Sequence, residues 1–467
     1  MRRRSVRYQG ARYRGRRRPR YLLWLAAFIA LLLAGFLAAR LIGAIPQLWE
    51  AKRQTSDASV PQQTEPVKPD RPNIEPPSKP EPEPPPAPPQ EPQTVVENTS
   101  GFELPIQGTH GMIMVNLKIH PEESGASSSS IAAAGLPFTI LKEGETRVLA
   151  LFGDERMGWV DKDYIMVNLP DLIPSIIYRN SNAESSLMKN LGMDLEGITG
   201  QVLYESRVYN EKLEREEFIM PVQYRMAQKI MEAQKTAKAQ NLSIVLYEGF
   251  RPYETQALVA EALQQLSRQN RDTSASIRKN GFNIAYYINT GISSHQMGSA
   301  VDVSLAQVSR WEEHSFHGNT ASIPAQFSEY SYGAILTGDS EGIQFSSAQR
   351  YRPGLPDNTS AWMPTPMHEL SYLSGTFNKP TPPYTSNAWK SDLSKGSIQY
   401  SEYWTEGAQT LQNIFVAAGM EPLASEWWHF NDISSWNTAK KANISGEFQV
   451  GTDSFSRAPG FAAALGE

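Results

Sequence analysis

Two short stretches of this chain hold side chains whose types and spacing could do chemistry together. Ser293-Ser294-His295-Gln296-Met297-Gly298-Ser299-Ala300-Val301-Asp302 pairs an imidazole with a carboxylate across a small-residue bend. Glu426-Trp427-Trp428-His429-Phe430 adds a second imidazole and a second carboxylate. A hydrolytic zinc centre needs three protein donors and an open position for water. It also needs a base, and bound water there has a pKa near ~7. His295, Asp302 and His429 are the candidate ligands of one zinc ion. Glu426 is the candidate base that takes the water proton and hands it to a leaving amine. A lone histidine is more often a hydrogen-bonded surface or core residue than a ligand. The reading therefore rests on the combination, in a chain with only seven histidines. Of the others, His110, His120, His314 and His317 read as solvated or structural.

The spacing makes demands on the backbone. His295 and Asp302 are an odd number of residues apart, so on one unbroken strand they would face opposite ways. Gly298 is where the chain can bend to bring them together. Val301-Asp302-Val303 reads as a buried strand. Glu426 and His429 would share a helix face, but the aromatic run between them favours strand, so a bend or bulge is expected there.

The pattern Ser293-x-His295-x-x-Gly298-x-Ala300-x-Asp302, followed by Glu426-x-x-His429, resembles the zinc D-Ala-D-Ala peptidases. These are the VanY carboxypeptidase and VanX dipeptidase group, in the wider superfamily shared with lysostaphin-type peptidases and hedgehog domains. Glu248-Gly249-Phe250-Arg251-Pro252 is similar to that family's Gly-Tyr-Arg-Pro element. The resemblance spans roughly residues 170–435. It implies that Arg251 neutralises the oxyanion forming on the scissile carbonyl, a role suited to a fixed guanidinium in a dry site. Ser293 and Ser294 are candidates for substrate hydrogen bonds, or shape the bend.

The family divides by what lies on the N-terminal side of the scissile bond. In the dipeptidase branch a Met-Gly-Thr-x-Phe-Asp-like segment supplies a carboxylate for a free amino group. Here the segment is Met363-Pro364-Thr365-Pro366-Met367-His368-Glu369, with His368 at the acid's position and Glu369 one residue later. Both are candidate substrate-binding residues, and the departure favours a D,D-carboxypeptidase acting on peptidoglycan stem peptides that end in D-Ala-D-Ala. A D-Ala-D-Ala dipeptidase, a cell-wall endopeptidase and a non-enzymatic wall-binding protein are the alternatives.

The rest of the chain must deliver these residues. Residues 1–20 contain ten arginines and no acid. An uncharged apolar run, Tyr21 to Ala39, follows and is long enough to span a bilayer. The basic flank predicts a cytoplasmic N-terminus and a single-pass anchor over 21–45 in the cell membrane, with the catalytic part extracytoplasmic. A cleaved signal peptide is the rival. The chain's net charge is −5 even with those arginines, so the remainder is acidic and no nucleic-acid partner is expected. There are no cysteines, which excludes disulfides and thiolate metal sites. Residues 46–100 form a Pro-rich linker that cannot bury a core.

Residues 101–169 show short apolar runs parted by turn residues: Met112–Leu117, Phe138–Leu141, Val148–Phe152 and Gly158–Val160. Their order resembles a bacterial SH3-like domain, which implies wall binding or a spacer. Residues 170–435 are expected to form the zinc peptidase domain, of α+β class, with a small antiparallel sheet and helices on one face. Helices are expected over Pro221–Gln240, Tyr253–Gln269 (with Leu258, Ala262 and Leu266 inward) and Glu406–Ala418. A strand over Leu242–Tyr247 leads to Arg251. Residues 307–360 read as an irregular insert that could act as a lid, and 436–467 as a tail without signal.

Overall fold

The computed structural model describes residues 98–332, 335–339, 342–346, 362–381, 388–446 and 464. Three of the four apolar runs near the start form strands as predicted, and the Met112–Leu117 run is split, with a strand ending at Ile113 and another starting at Leu117. β1 (His110–Ile113), β2 (Pro137–Glu143), β3 (Arg147–Phe152), β4 (Met157–Asp161) and β5 (Ile165–Asn168) make an antiparallel sheet. Alternating burial along β3 puts Val148, Ala150 and Phe152 into its core, the period-two signature of a half-buried strand. After β6 (Ile177–Tyr178), the sheet recruits a strand from well beyond residue 169. β7 (Pro221–Gln223) pairs with β5, giving the order β7-β5-β1-β2-β3-β4. This corrects the expectation that a helix begins at Pro221. A proline lacks the amide a central strand needs but is tolerated at the first position of an edge strand.

The helix starts three residues later, as α1 (Tyr224–Lys238), with Met226, Ile230 and Met231 buried as the pattern predicts. β8 (Leu242–Glu248) and α2 (Tyr253–Gln269) also form where expected. The buried face of α2 is Thr255, Gln256, Val259, Ala260 and Leu263, while Leu258 is exposed. Of the expected stripe, Ala262 and Leu266 are partly buried against the core and only Leu258 turns out, because the centre of the buried face lies one residue, or ~100°, around the helix.

β9 (Ala300–Phe316) and β10 (Asn319–Glu329) are joined by a tight turn with His317 and Gly318 at positive φ. The first part of the expected irregular insert is therefore a long two-stranded ribbon; most of the remainder, to residue 360, lies outside the described residues. α3 (Glu406–Ala417) is capped by the Thr405 hydroxyl, which accepts from the Ala408 amide at 3.3 Å. β11 (Glu421–Leu423), β12 (Glu426–Asn431) and α4 (Ile433–Lys441) follow. The second sheet has the order β11-β12-β9-β8-β6, antiparallel except for β8 with β6, and β10 pairs with β9. α1 and α3 pack on each other and on this sheet.

The chain segment expected to be a featureless tail contributes to the core. Trp436, Ala439 and Ile444 pack with Met112, Met114, Met166, Phe250 and Met297. This cluster joins strands of the first sheet to the loops that carry Arg251 and His295.

The described chain is α+β, with sheets and helices mixed, and the expected architecture needs one correction. Among the described residues no helix is long and apolar enough to cross a membrane. The longest of them, α2, has 17 residues and carries Glu254, Gln256, Glu261 and Gln264, whereas a span needs ~20 predominantly apolar ones. Residues 21–45, where a transmembrane helix was expected, and the Pro-rich stretch lie outside the described residues.

Candidate metal centre and cleft

Asp302 stands on the central strand β9, and the register on both sides brings its partners to it. On one side His429 of β12 is directly opposite. On the other, a register shift between Leu246 and Glu248 sets Glu248 opposite Asp302. Such a bulge re-aims a side chain without ending the strand. The bend expected around Glu426 is also present. Leu423 pairs with Glu426 but Pro422 pairs with Phe430, so β12 carries extra residues against β11. The irregularity lets Glu426 and His429, which would alternate on a flat strand, reach the same centre.

His295 arrives from a turn that precedes β9. Gly298 sits at φ +60, and a Cβ there would lie 2.6 Å from the Met166 sulfur and 3.1 Å from the Gln223 amide nitrogen. The Gln223 backbone amide donates to Gly298 O at 2.8 Å, and its side-chain amide donates to Met297 O at 2.7 Å. The recruited strand β7 therefore holds the ligand-bearing turn. Gly298→Ala is expected to destabilise the fold by about 1–3 kcal/mol through left-handed strain and overpacking. It should also weaken divalent-metal binding, because the turn cannot shift without moving His295. Denaturant unfolding and a metal titration would check both; wild-type values in each would refute the assignment.

The three candidate ligands converge. His295 Nε2 lies 3.1 Å from His429 Nδ1 and 3.4 Å from Asp302 Oδ1, and His429 Nδ1 lies 3.0 Å from Asp302 Oδ1. Three ligand atoms at ~2.0–2.1 Å from a tetrahedral ion stand about 3.3 Å apart, so the triangle has the size of a zinc face. Each ring has a polar partner on its far side. His295 Nδ1 is 2.7 Å from the Gly249 carbonyl, and His429 Nε2 is 3.1 Å from Asn431 Oδ1. With the ring protons on these outer nitrogens, as a bound cation would require, a lone pair is left on each inward nitrogen. Two imidazole lone pairs and a carboxylate oxygen then point at one spot. This is a poor arrangement unless a cation sits among them.

The charge balance says the same. Glu248, Asp302 and Glu426 are buried together with a single guanidinium, Arg251. Burial raises the Asp302 carboxyl, but His295, His368 and His429 outweigh it and hold it well below the usual range. Glu248 is likewise lowered, with Arg251 overcoming burial. Glu426 goes the other way: burial and then the Asp302 charge push it well above its ordinary value, against the pull of Arg251. Three carboxylates against one guanidinium leave two negative charges, which a divalent cation would neutralise, allowing Glu426 to ionise. The residues present fit a zinc ion.

Arg251 is rigidly held. Its Nε donates to Glu248 Oε2 at 2.8 Å, Nη1 to Gln256 Oε1 at 2.8 Å, and Nη2 to Asp302 Oδ2 at 3.2 Å, with a second bond from Nη2 to Glu248. It lines a cleft of about 290 Å³ together with Ser293, Ser294, His295, Glu426 and His429. The Glu426 carboxylate is 3.7 Å from His429 Nδ1, within one water of the metal face. Ser293 Oγ and the Tyr287 hydroxyl, also in this cleft, are buried without a hydrogen-bond partner among the described residues.

The other two candidates lie behind the centre. His368 Nε2 is 3.1 Å from Asp302 Oδ2. The Glu369 carboxylate accepts from the amides of Leu191 at 2.6 Å and Gly192 at 3.0 Å. Among the described residues neither lines the cleft. Sequence reasoning assigned no role to Glu248, Asn431, Gln256 or Tyr287. Asn431 was within reach, because it is two residues from His429 and period two puts both on one strand face. Glu248 could not be assigned, since only the bulge turns it toward Asp302.

Residues 220–337 match the VanY family model, D-alanyl-D-alanine carboxypeptidase. The matched stretch contains Arg251, His295 and Asp302 and ends before His368, Glu426 and His429. The family resemblance is thereby supported for this part of the chain, and the SH3-like one is not. No protein among the curated ones matches the chain.

Proposed function

We propose that this VanY-like chain is a zinc-dependent D,D-carboxypeptidase that removes the terminal D-alanine from peptidoglycan stem peptides outside the cytoplasm. The observation that carries the reading is the convergence of a ring nitrogen from each of His295 and His429 with an Asp302 carboxylate oxygen, beside Glu426 in an open cleft. A divalent ion held by those three ligands would supply Lewis acidity and make water a nucleophile near neutral pH. Glu426 takes the proton from the attacking water and delivers it to the nitrogen of the leaving D-alanine. Arg251 is fixed by Glu248 and Gln256, so its cleft-facing edge meets the negative charge growing on the scissile carbonyl oxygen without reorganising. Ser293 Oγ and the Tyr287 hydroxyl are placed to hydrogen-bond the substrate.

The carboxylates around the centre favour a carboxypeptidase over a dipeptidase. A dipeptidase must fix a free amino group, which takes an available acid. Among the described residues Glu426 is taken up as the base, and the other nearby carboxylates are committed: Glu248 to Arg251 and Asn182, Asp302 to the imidazoles and Arg251, and Glu369 to two backbone amides. Incubating the full chain and zinc with a stem pentapeptide should release D-alanine, detected by mass spectrometry and abolished by chelator. Free D-Ala-D-Ala should stay intact. Release from the free dipeptide alone would establish the dipeptidase reading instead. Release from neither, with cleavage of cross-linked peptidoglycan, would establish an endopeptidase.

A further inference from the structure

We propose that His368 is a positioning residue for the metal centre rather than a substrate contact. Together with Arg251 it occupies the outer oxygen of Asp302, so that this carboxylate offers the ion one oxygen and not two. The inference rests on the zinc reading above and goes beyond it.

A carboxylate can bind a metal through one oxygen or both. Binding through both would consume the coordination position that water needs. In this structure the two oxygens of Asp302 have separate duties. Oδ1 faces His429 Nδ1 at 3.0 Å and His295 Nε2 at 3.4 Å. Oδ2 faces Arg251 Nη2 at 3.2 Å and His368 Nε2 at 3.1 Å. Two donors on one oxygen engage it and fix the rotation of the carboxylate, which would leave Oδ1 alone for an ion. The Ser181 hydroxyl stands 3.4 Å behind the ring at Nδ1. When it donates there, the ring proton is on Nε2, where Asp302 needs it.

The backbone at this residue is unusual and well anchored. His368 has φ +61, a left-handed conformation that costs a non-glycine residue about 1–2 kcal/mol. Such strain persists where the surroundings over-determine it, and here they do. The Lys189 amide donates to the His368 carbonyl at 3.1 Å, and the Leu370 amide donates back to Lys189 O at 2.7 Å. Glu369 grips the Leu191–Gly192 turn, and Trp428 meets the imidazole edge-on at 5.8 Å. Glu369 thus acts through His368, by pinning the segment that presents it.

The test measures metal affinity directly, with the full chain and a chromophoric chelator competing for zinc. His368→Ala should weaken binding about 10–100-fold, the usual effect of removing an outer partner of a metal ligand. His368→Gln, whose amide can reach the same oxygen, should recover most of that loss. Should the alanine variant fail to fold, His368→Leu fills the volume without a donor and serves the same comparison. Unchanged zinc affinity in the donor-less variant would overturn the proposal, and a raised KM alongside it would return His368 to the substrate. A wild-type chain that binds no divalent ion would overturn the zinc reading itself, a result separate from the first.

Discussion

Glu426→Gln should bind one zinc ion as tightly as the wild type and turn over stem pentapeptide about 10²–10⁴-fold more slowly, the contribution expected of a general base. Glutamine keeps the shape and the place on β12 but cannot accept the water's proton. The loss should fall on kcat, with little change in KM. The same substitution should make the metal-free protein more stable at neutral pH. Glu426 is buried beside Asp302, which raises its carboxyl well above the ordinary value of 4.5. A carboxyl raised in the folded state holds a proton there that the unfolded chain has released. Its favourable contribution is therefore present at low pH and declines as pH rises above the unfolded value, until the folded group also ionises. The wild-type metal-free protein should lose stability across that window, and the glutamine variant should not. Thermal melts in chelator between pH 4 and 8, with single-turnover kinetics at pH 7, would decide. A variant that keeps wild-type kcat ends the assignment of Glu426 as base. One that is slow and also less stable without metal would mean the carboxylate serves the fold.

How far the sequence revealed this site depends on whether the signal is local. That His295, Asp302, Glu426 and His429 come together was legible, because donor types at fixed spacing suggest a ligand set. Gly298 was legible because only a residue at ease at φ +60 could turn the chain there. β2, β3 and β4 and most of α1 to α3 followed from hydrophobic period and turn residues. What failed to show was long-range. Nothing near Pro221 announces that β5 will capture it as a strand, since that pairing joins residues more than fifty positions apart. The exposure of Leu258 is set by which neighbours α2 meets rather than by its own pattern. His368 looked like a substituted substrate residue because its motif position was the visible feature. Its contact with Asp302 depends on a left-handed backbone and on the β8–β9 register, neither of which is written at position 368. Candidate ligands are thus encoded by type, while the residues that orient them are encoded by topology.

His295→Ala should lose both metal and activity, and it is the counterpart that makes the Glu426 result interpretable. Removing this ring leaves His429 and Asp302 as the only ligands facing the centre. It also leaves the Gly249 carbonyl without its donor. The zinc dissociation constant should rise by more than the ~10–100-fold that outer partners are worth, and D-alanine release should fall to the chelator-treated background. Stability gives an independent readout. Zinc that binds only the folded wild type raises its melting temperature in proportion to ln(1 + [Zn]/Kd). That rise should vanish in His295→Ala and persist in Glu426→Gln. The two substitutions act a few ångströms apart on one buried cluster, so a shared structural defect would move both observables together. Separation of the two, with metal lost in one and retained without turnover in the other, is what divided roles of ligand and base require. If His295→Ala still binds zinc stoichiometrically and releases D-alanine in a chelator-sensitive way, the ion is held elsewhere, and the Glu248, Asp302 and His368 group, whose donor atoms also lie within 4.8 Å of one another, becomes the site to examine.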